Sequence, residues 1–117
     1  MKTTTATSPT AAALPAAVKR FLEAANRSDA KDAASCFTTD ASVHDENRDY
    51  AGRDAIQAWV SETCRKYRPA FTVMRASVLG GDVSLSVAVS GQFPGSPVTL
   101  EYRLHLRDGQ ISALTIE

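Results

Sequence analysis

The chain has 117 residues, of which 44% are hydrophobic and 22% are charged, and this size and composition predict one globular domain with a single core. Its 13 basic and 13 acidic residues cancel, which argues against nucleic acid or an anionic membrane surface as the main partner, because both attract proteins with excess positive charge. The two cysteines are too few for a disulfide scaffold and lack the spacing of a metal site.

Residues 1–11 are rich in threonine and interrupted by Pro9, a composition typical of a disordered tail. The folded domain is therefore predicted at 12–117. The N-terminus lacks the compact apolar segment of a signal peptide, and no apolar stretch in the chain is long enough to cross a membrane. These features, together with two cysteines that need no disulfide, lead us to expect a cytoplasmic protein.

Two helices are predicted before the first strand. Apolar residues recur with a helical period of 3.6 from Leu14 to Ala25. The segment 26–37 has the pattern of a second, shorter helix, which Ser28 or Asp29 can cap.

Residues 41–46 alternate in polarity, as a strand with one buried face does, and 47–52 have the composition of a polar loop. A third helix is then predicted between Gly52 and Pro69, with Trp59 on its apolar side.

From residue 70 onward the pattern predicts strands alone. Four strands joined by tight turns are expected, at 70–79, 83–93, 98–107 and 110–117. Helices that segregate from a mostly antiparallel sheet define an α+β fold. Three N-terminal helices packed on a curved sheet would leave a conical hollow, which is the natural place for a ligand.

Asp45 is the first candidate for chemistry because it shares a strand face with Ala41 and Val43. If that face is the inner one, Asp45 points into the apolar hollow, where desolvation raises its pKa and makes it a candidate general base. If the strand ends at His44, the carboxylate faces water or caps the loop instead. The pattern alone leaves both possibilities open.

Tyr102 and Trp59 are the aromatic residues expected to reach the hollow, although ordinary core packing would explain each of them as well. A buried tyrosine hydroxyl needs a partner, so Tyr102 is the better polar candidate. The residues expected to form the ligand-binding walls are apolar: Phe21, Val43, Trp59, Val60, Leu100 and Leu104.

No metal or organic cofactor is expected. His44, Asp45, Glu46 and His105 could be suspected of forming a metal site, but neighbours on a strand point to opposite faces and cannot bind one ion together. His105 belongs to a polar row with Glu101, Arg103 and Arg107, which is typical of a solvated or dimer-facing strand surface.

The segment "FTTDASVHDENRDYAGRDAIQAW" resembles the signature of SnoaL-like proteins in the nuclear transport factor 2-like (NTF2-like) superfamily. The matching residues are Phe37, Asp40, Ala41, Val43, Asp45, Gly52, Arg53 and Ile56. The C-terminal segment "VSGQFPGSPVTLEYRLHLRDGQISALTI" is similar to the same family, so the resemblance covers about residues 12–117. It implies an NTF2-like cone and a homodimer.

The ketosteroid isomerases are distant relatives within this superfamily, and their general base falls on Asp45. Their oxyanion hole uses a tyrosine on the first helix and a protonated aspartate on a late strand. The first position falls on Phe21, which has no hydroxyl, and the second falls on or beside Tyr102. A steroid isomerase of the usual mechanism is therefore not expected.

Besides a purely structural dimer with the sheet face of Glu101, Arg103 and His105 as its interface, two functions remain open on this basis. The sequence does not decide whether the protein is an enzyme. One is a cofactor-independent isomerase, cyclase or dehydratase, in which Asp45 transfers a proton and Tyr102 bonds the oxygen of a small hydrophobic carbonyl compound. The other is a non-catalytic module of the same fold that binds a ligand or a protein.

Overall fold

The computed structural model describes residues 14–117, and the predicted disordered tail lies outside the described residues. Within this range the chain forms three helices and one six-stranded sheet. Their order is α1 (Ala16–Asn26), α2 (Ala30–Ser35), β1 (Phe37–Asp45), β2 (Arg48–Ala51), α3 (Arg53–Tyr67), β3 (Ala70–Leu79), β4 (Asp82–Ser90), β5 (Val98–Arg107) and β6 (Gln110–Ile116).

The strand order across the sheet is β2-β1-β6-β5-β4-β3. All neighbouring strands are antiparallel except β1 and β6, which run parallel. The predicted α+β class and the four consecutive C-terminal strands are confirmed. The helices are not a purely N-terminal group, however, because two strands separate α3 from α2. None of the helices in residues 14–117 is long and apolar enough to cross a membrane.

The prediction of a polar loop at 47–52 was wrong, since most of this segment forms β2. Glu46 and Asn47 make a two-residue turn with left-handed φ angles of 53° and 63°, and the chain then pairs back against β1. β2 is an edge strand with largely exposed side chains, so it has no apolar alternation for a sequence pattern to detect. β1 also begins earlier than predicted, at Phe37.

The helices cover the inner face of the sheet, and the core lies between them. On β4 the alternation appears as predicted, with Val83, Leu85, Val87 and Val89 all buried. On α1 the apolar side, including Phe21, is buried against this face. Burial of this apolar surface is the main stabilising term for a domain of this size.

Several residues of the SnoaL-like signature fix the start of α3 against β1. Arg53 Nε donates to the Phe37 carbonyl at 2.8 Å, and the Gly52 N–H donates to the Ala41 carbonyl at 2.8 Å. Gly52 has a φ of 87°, which a residue with a Cβ rarely adopts. These bonds place the middle of α3 opposite the end of β1.

The connection between β4 and β5 is tied to the end of α3 in a similar way. The Gln92 N–H donates to the Tyr67 carbonyl at 2.7 Å. A Cβ on Gly91 would lie 2.6 Å from that same carbonyl oxygen, so only glycine fits. This approach brings the rings of Tyr67 and Phe93 together, with centroids 5.7 Å apart.

Gly91→Ala is therefore expected to destabilise the protein by about 1–3 kcal/mol, as overpacking of a tight contact does. Thermal denaturation followed by circular dichroism would measure the change. Gly81→Ala is the control, because its added Cβ would lie 3.0 Å from the nearest backbone oxygen and needs a smaller adjustment. Equal melting temperatures for Gly91→Ala and the wild type would contradict the close approach.

Candidate functional site

A cavity of about 880 Å³ opens between α1, α3 and the inner face of the sheet. Six of the predicted site residues line it: Asp45, Tyr102, Phe21, Trp59, Val60 and Leu100. Its size is in the range of small-molecule sites.

Val43 and Leu104 are buried in the core and are not among the lining residues. Both lie beside Leu114 in one row across β1, β6 and β5, whereas Ile116 and Tyr102 lie in the row nearer the opening. The inward alternation of a strand shows which residues face the helices but not how far along the strand the cavity begins.

Asp45 is the last residue of β1, and the structure places it on the inner face with the fully buried Ala41 and Val43. It is half-buried. Desolvation raises the pKa of its carboxyl group above the ordinary value, and the nearby Glu46 charge raises it slightly more. The indole of Trp59 acts in the opposite direction, because Nε1 donates to Asp45 Oδ2 at 3.1 Å and favours the charged form.

Trp59 is supported by the strand that the sequence did not predict. The ring of Tyr50 on β2 lies against the Trp59 ring, with centroids 5.9 Å apart and planes inclined by 33°. The indole is thus held between β2 and the cavity while its N–H reaches Asp45. Tyr50 was missed because it lies in a charged segment without periodicity.

Tyr102 on β5 is almost fully buried, at 3% exposure, and borders the cavity. Within residues 14–117 its side chain makes no hydrogen bond, so the hydroxyl is available to a ligand. Desolvation raises the pKa of the phenol, and the charge of Asp45 raises it further. Tyr102 therefore stays protonated and can act as a neutral hydrogen-bond donor.

Three more aromatic side chains contribute to the lining: Tyr67, Phe71 and Phe93. They come from the end of α3, the start of β3 and the turn after β4. No sequence pattern linked them, because they come from separate segments, and the contact between the Gly91 region and α3 that joins Tyr67 to Phe93 is not local.

The two histidines bind separate aspartates at the surface. His44 Nδ1 lies 2.7 Å from Asp49 Oδ1, and His105 Nδ1 lies 2.7 Å from Asp82 Oδ1. Throughout the described part of the chain, no three His, Cys, Asp or Glu side chains come together as a metal ion would require.

Residues 18–114 match the model of the SnoaL-like domain family, which is most of the chain. The chain belongs to the SnoaL-like family. No curated protein matches its sequence significantly.

Solved structures with a fold similar to that of this chain include a candidate polyketide cyclase from Sinorhizobium meliloti. It is 31% identical, with 93% of this chain and 100% of that chain covered and a TM-score of 0.89. A second structure is that of a protein with a ketosteroid isomerase-like fold from Catenulispora acidiphila, solved in complex with trimethylamine. It is 19% identical, with 88% of this chain and 85% of that chain covered and a TM-score of 0.78.

A candidate ketosteroid isomerase from Kribbella flavida is also similar to this SnoaL-like chain. It is 17% identical, with 87% of this chain and 74% of that chain covered and a TM-score of 0.76. At this identity, and at that of the Catenulispora acidiphila protein, the likeness shows the fold alone.

Only two acidic residues of the described chain are not exposed, and their surroundings differ. Asp32 accepts hydrogen bonds from Arg20 and Arg27, which hold the pKa of its carboxyl group below the ordinary value. Asp45 has Trp59 as its only side-chain hydrogen-bond partner within residues 14–117, and its pKa is raised. The arginines thus more than offset the desolvation of Asp32, whereas Trp59 only partly offsets the desolvation of Asp45.

Asp45→Asn and Asp32→Asn should therefore change stability in opposite directions. Because the pKa of Asp45 is raised in the folded state, its negative charge lowers the free energy of unfolding once the pH has risen through that pKa. Asp45→Asn should therefore melt above the wild type at about pH 8. This difference should disappear below the ordinary aspartate pKa of about 3.9, where the carboxyl group is protonated in both states. A lowered pKa makes charged Asp32 stabilising at about pH 8, so Asp32→Asn should melt below the wild type there.

Melting temperatures measured by differential scanning fluorimetry from about pH 3 to pH 8 would test both signs. Asp32→Asn serves as the matched control, because it removes the same charge from another half-buried position. If both variants lost the same amount of stability at the higher pH, the charge of Asp45 would be as well stabilised as that of Asp32, and the account of Asp45 would be contradicted.

Proposed function

We propose that this protein binds a small hydrophobic carbonyl compound in the cavity and transfers a proton with Asp45, in a reaction of the isomerase, cyclase or dehydratase type. The observation that carries the proposal is the position of Asp45, a partly desolvated carboxylate at the wall of an otherwise mostly apolar cavity.

Desolvation favours Asp45 as a general base. A carboxylate in water is a weak base at neutral pH, and raising its pKa brings it closer to the pH at which it must accept a proton. Trp59 binds one oxygen and fixes the orientation of the group, while the carboxylate retains further lone pairs for the substrate proton. The same group can return the proton to another substrate atom once it is protonated.

Tyr102 is proposed to donate a hydrogen bond to the carbonyl oxygen as negative charge develops on it. Its raised pKa keeps the phenol protonated, and no competing partner within residues 14–117 occupies the hydroxyl. Phe21, which resembles the helix-one tyrosine of ketosteroid isomerases in position, also lines the cavity but supplies no hydroxyl. Because each oxyanion donor contributes on the order of a hundredfold, we expect modest rates.

The Sinorhizobium meliloti relative, a candidate polyketide cyclase, supports carbonyl chemistry of this kind. Cyclisation of a polyketone begins with removal of a proton beside a carbonyl group, which is the step proposed for Asp45. The proposed step uses the chain's own residues and calls for no metal or organic cofactor. We further propose a homodimer, which the family resemblance implies, and a cytoplasmic location, which the cysteine content and the N-terminal composition favour.

The second candidate function is binding without turnover, in which Asp45 anchors a ligand or the surface around the cavity binds a protein. The observation that favours it is that Phe21 has no hydroxyl. Tyr102 is then the one oxyanion donor proposed, and catalysis would have less stabilisation of the developing charge.

Exchange of α-hydrogens in D2O, followed by proton NMR on a panel of cyclic and aromatic ketones, tests the proposed step without knowledge of the final product. The wild type should accelerate exchange on at least one ketone. Asp45→Asn should lower this rate by about 100-fold or more, as loss of a general base does. Tyr102→Phe should lower it by on the order of 100-fold through loss of the oxygen-binding donor.

Asp54→Asn is the matched control, since it removes an exposed carboxylate from the first turn of α3, outside the cavity lining, and should leave the exchange rate unchanged. Saturable ketone binding with no exchange above the buffer rate would favour the non-catalytic function. Exchange that is equally fast in Asp45→Asn and the wild type would exclude Asp45 as the base.

A further inference from the structure

The charged side chains that line the cavity are all acidic. They are Asp45, Glu46 and Glu117, and no lysine or arginine side chain of the described residues joins them. Glu117 lies 3.8 Å from Arg103 at the surface, and His44, which also borders the cavity, is bonded to Asp49. The charge of the cavity lining is therefore negative, which disfavours an anionic ligand.

Asp45 is the half-buried member of this group, whereas Glu46 and Glu117 are exposed. A carboxylate removed from water normally has a cationic partner, as Asp32 has with Arg20 and Arg27. Among the side chains of residues 14–117 the only hydrogen-bond donor to Asp45 is the neutral indole of Trp59, and His44, whose charge also lowers the pKa of Asp45, is bound to Asp49. A cation inside the cavity would supply the missing charge.

The remaining lining is suited to a cation with an apolar surface. Six aromatic side chains border the cavity: Phe21, Trp59, Tyr67, Phe71, Phe93 and Tyr102. The faces of such rings carry negative potential and attract amine and ammonium groups. The unpartnered hydroxyl of the almost fully buried Tyr102 adds oxygen lone pairs that can face the same cation.

We propose that the cavity selects ligands whose apolar body carries a positively charged nitrogen, an amine or quaternary ammonium group that lies against Asp45 and the aromatic rings. This deepens the proposed function by naming the charge of the substrate class, and it rests on that function in placing the ligand in this cavity. The same cation would lower the pKa of Asp45 by favouring its charged form. During proton removal, however, the negative charge moves from Asp45 to the carbonyl oxygen, where a nearby cationic nitrogen would offset it and the chain itself offers few oxyanion donors.

Three probes of nearly the same shape but different charge test the selectivity. They are phenyltrimethylammonium, tert-butylbenzene and benzenesulfonate, and their binding can be followed by the fluorescence of Trp59, which borders the cavity and is the single tryptophan of the chain. The wild type should bind the cation roughly 5- to 30-fold more tightly than its neutral counterpart. It should bind benzenesulfonate more weakly than either.

Asp45→Asn should reduce the preference for the cation over tert-butylbenzene about threefold or more, by weakening the binding of the cation alone, and the aromatic rings and Glu46 should account for the preference that remains. Glu46→Gln removes an exposed lining charge and should reduce the preference less. Asp32→Asn, whose charge lies outside the lining, should keep the wild-type preference.

Equal binding of the cation and its neutral counterpart by the wild type would overturn the inference, as would a preference unchanged in Asp45→Asn or a failure of the cation to bind. These results are separable from failure of the proposed function. Neutral ketones that exchange their α-hydrogens in a cavity without cation preference would overturn this inference alone. A cation preference without any exchange would support it and count against catalysis.

Discussion

The candidate site depends on one hydrogen bond, from the indole of Trp59 to the carboxylate of Asp45, which joins the middle of α3 to the end of β1. The bonds from Arg53 to the Phe37 carbonyl and from Gly52 to the Ala41 carbonyl set the start of α3 so that Trp59 reaches this position. The signature residues Gly52 and Arg53 thus have a structural role, and the result is one carboxylate held at the wall of a cavity.

The contrast between Asp45 and Asp32 shows how the protein distributes stability and function. Asp32 joins α1 to α2 through two arginines, and its charge stabilises the fold. The hydrogen bond from Trp59 only partly offsets the desolvation of the Asp45 carboxylate, so the charge of Asp45 lowers the stability of the fold. Uncompensated charges of this kind are typical of functional sites, because a carboxylate already satisfied by arginines has little affinity left for a ligand or a proton.

The sequence predicts the fold well wherever burial is periodic. The alternation on β4 and β5 and the helical period on α1 follow from which side of each element is covered, and the structure agrees. β2 could not be predicted, because an exposed edge strand has no apolar side. Because β2 was not predicted, the contact of its residue Tyr50 with Trp59 was not predicted either.

The candidate site is only partly visible in the sequence for a different reason. Strand periodicity identifies the inner face, which includes Val43 and Leu104, but both lie one row deeper than the cavity. Tyr67 and Phe93 reach the lining through the approach of Gly91 to the end of α3, a contact between distant segments that no local pattern encodes.

The most direct test of the central claim is the pKa of Asp45 itself, measured by carbon-13 NMR titration of the side-chain carboxyl groups in the wild-type protein. Asp32 in the same spectra provides an internal reference. The account predicts that Asp45 titrates above the ordinary aspartate value of about 3.9 and that Asp32 titrates below it. An Asp45 that titrates at or below the ordinary value would show that its charge is already compensated, and would contradict both the proposed base and the cation preference.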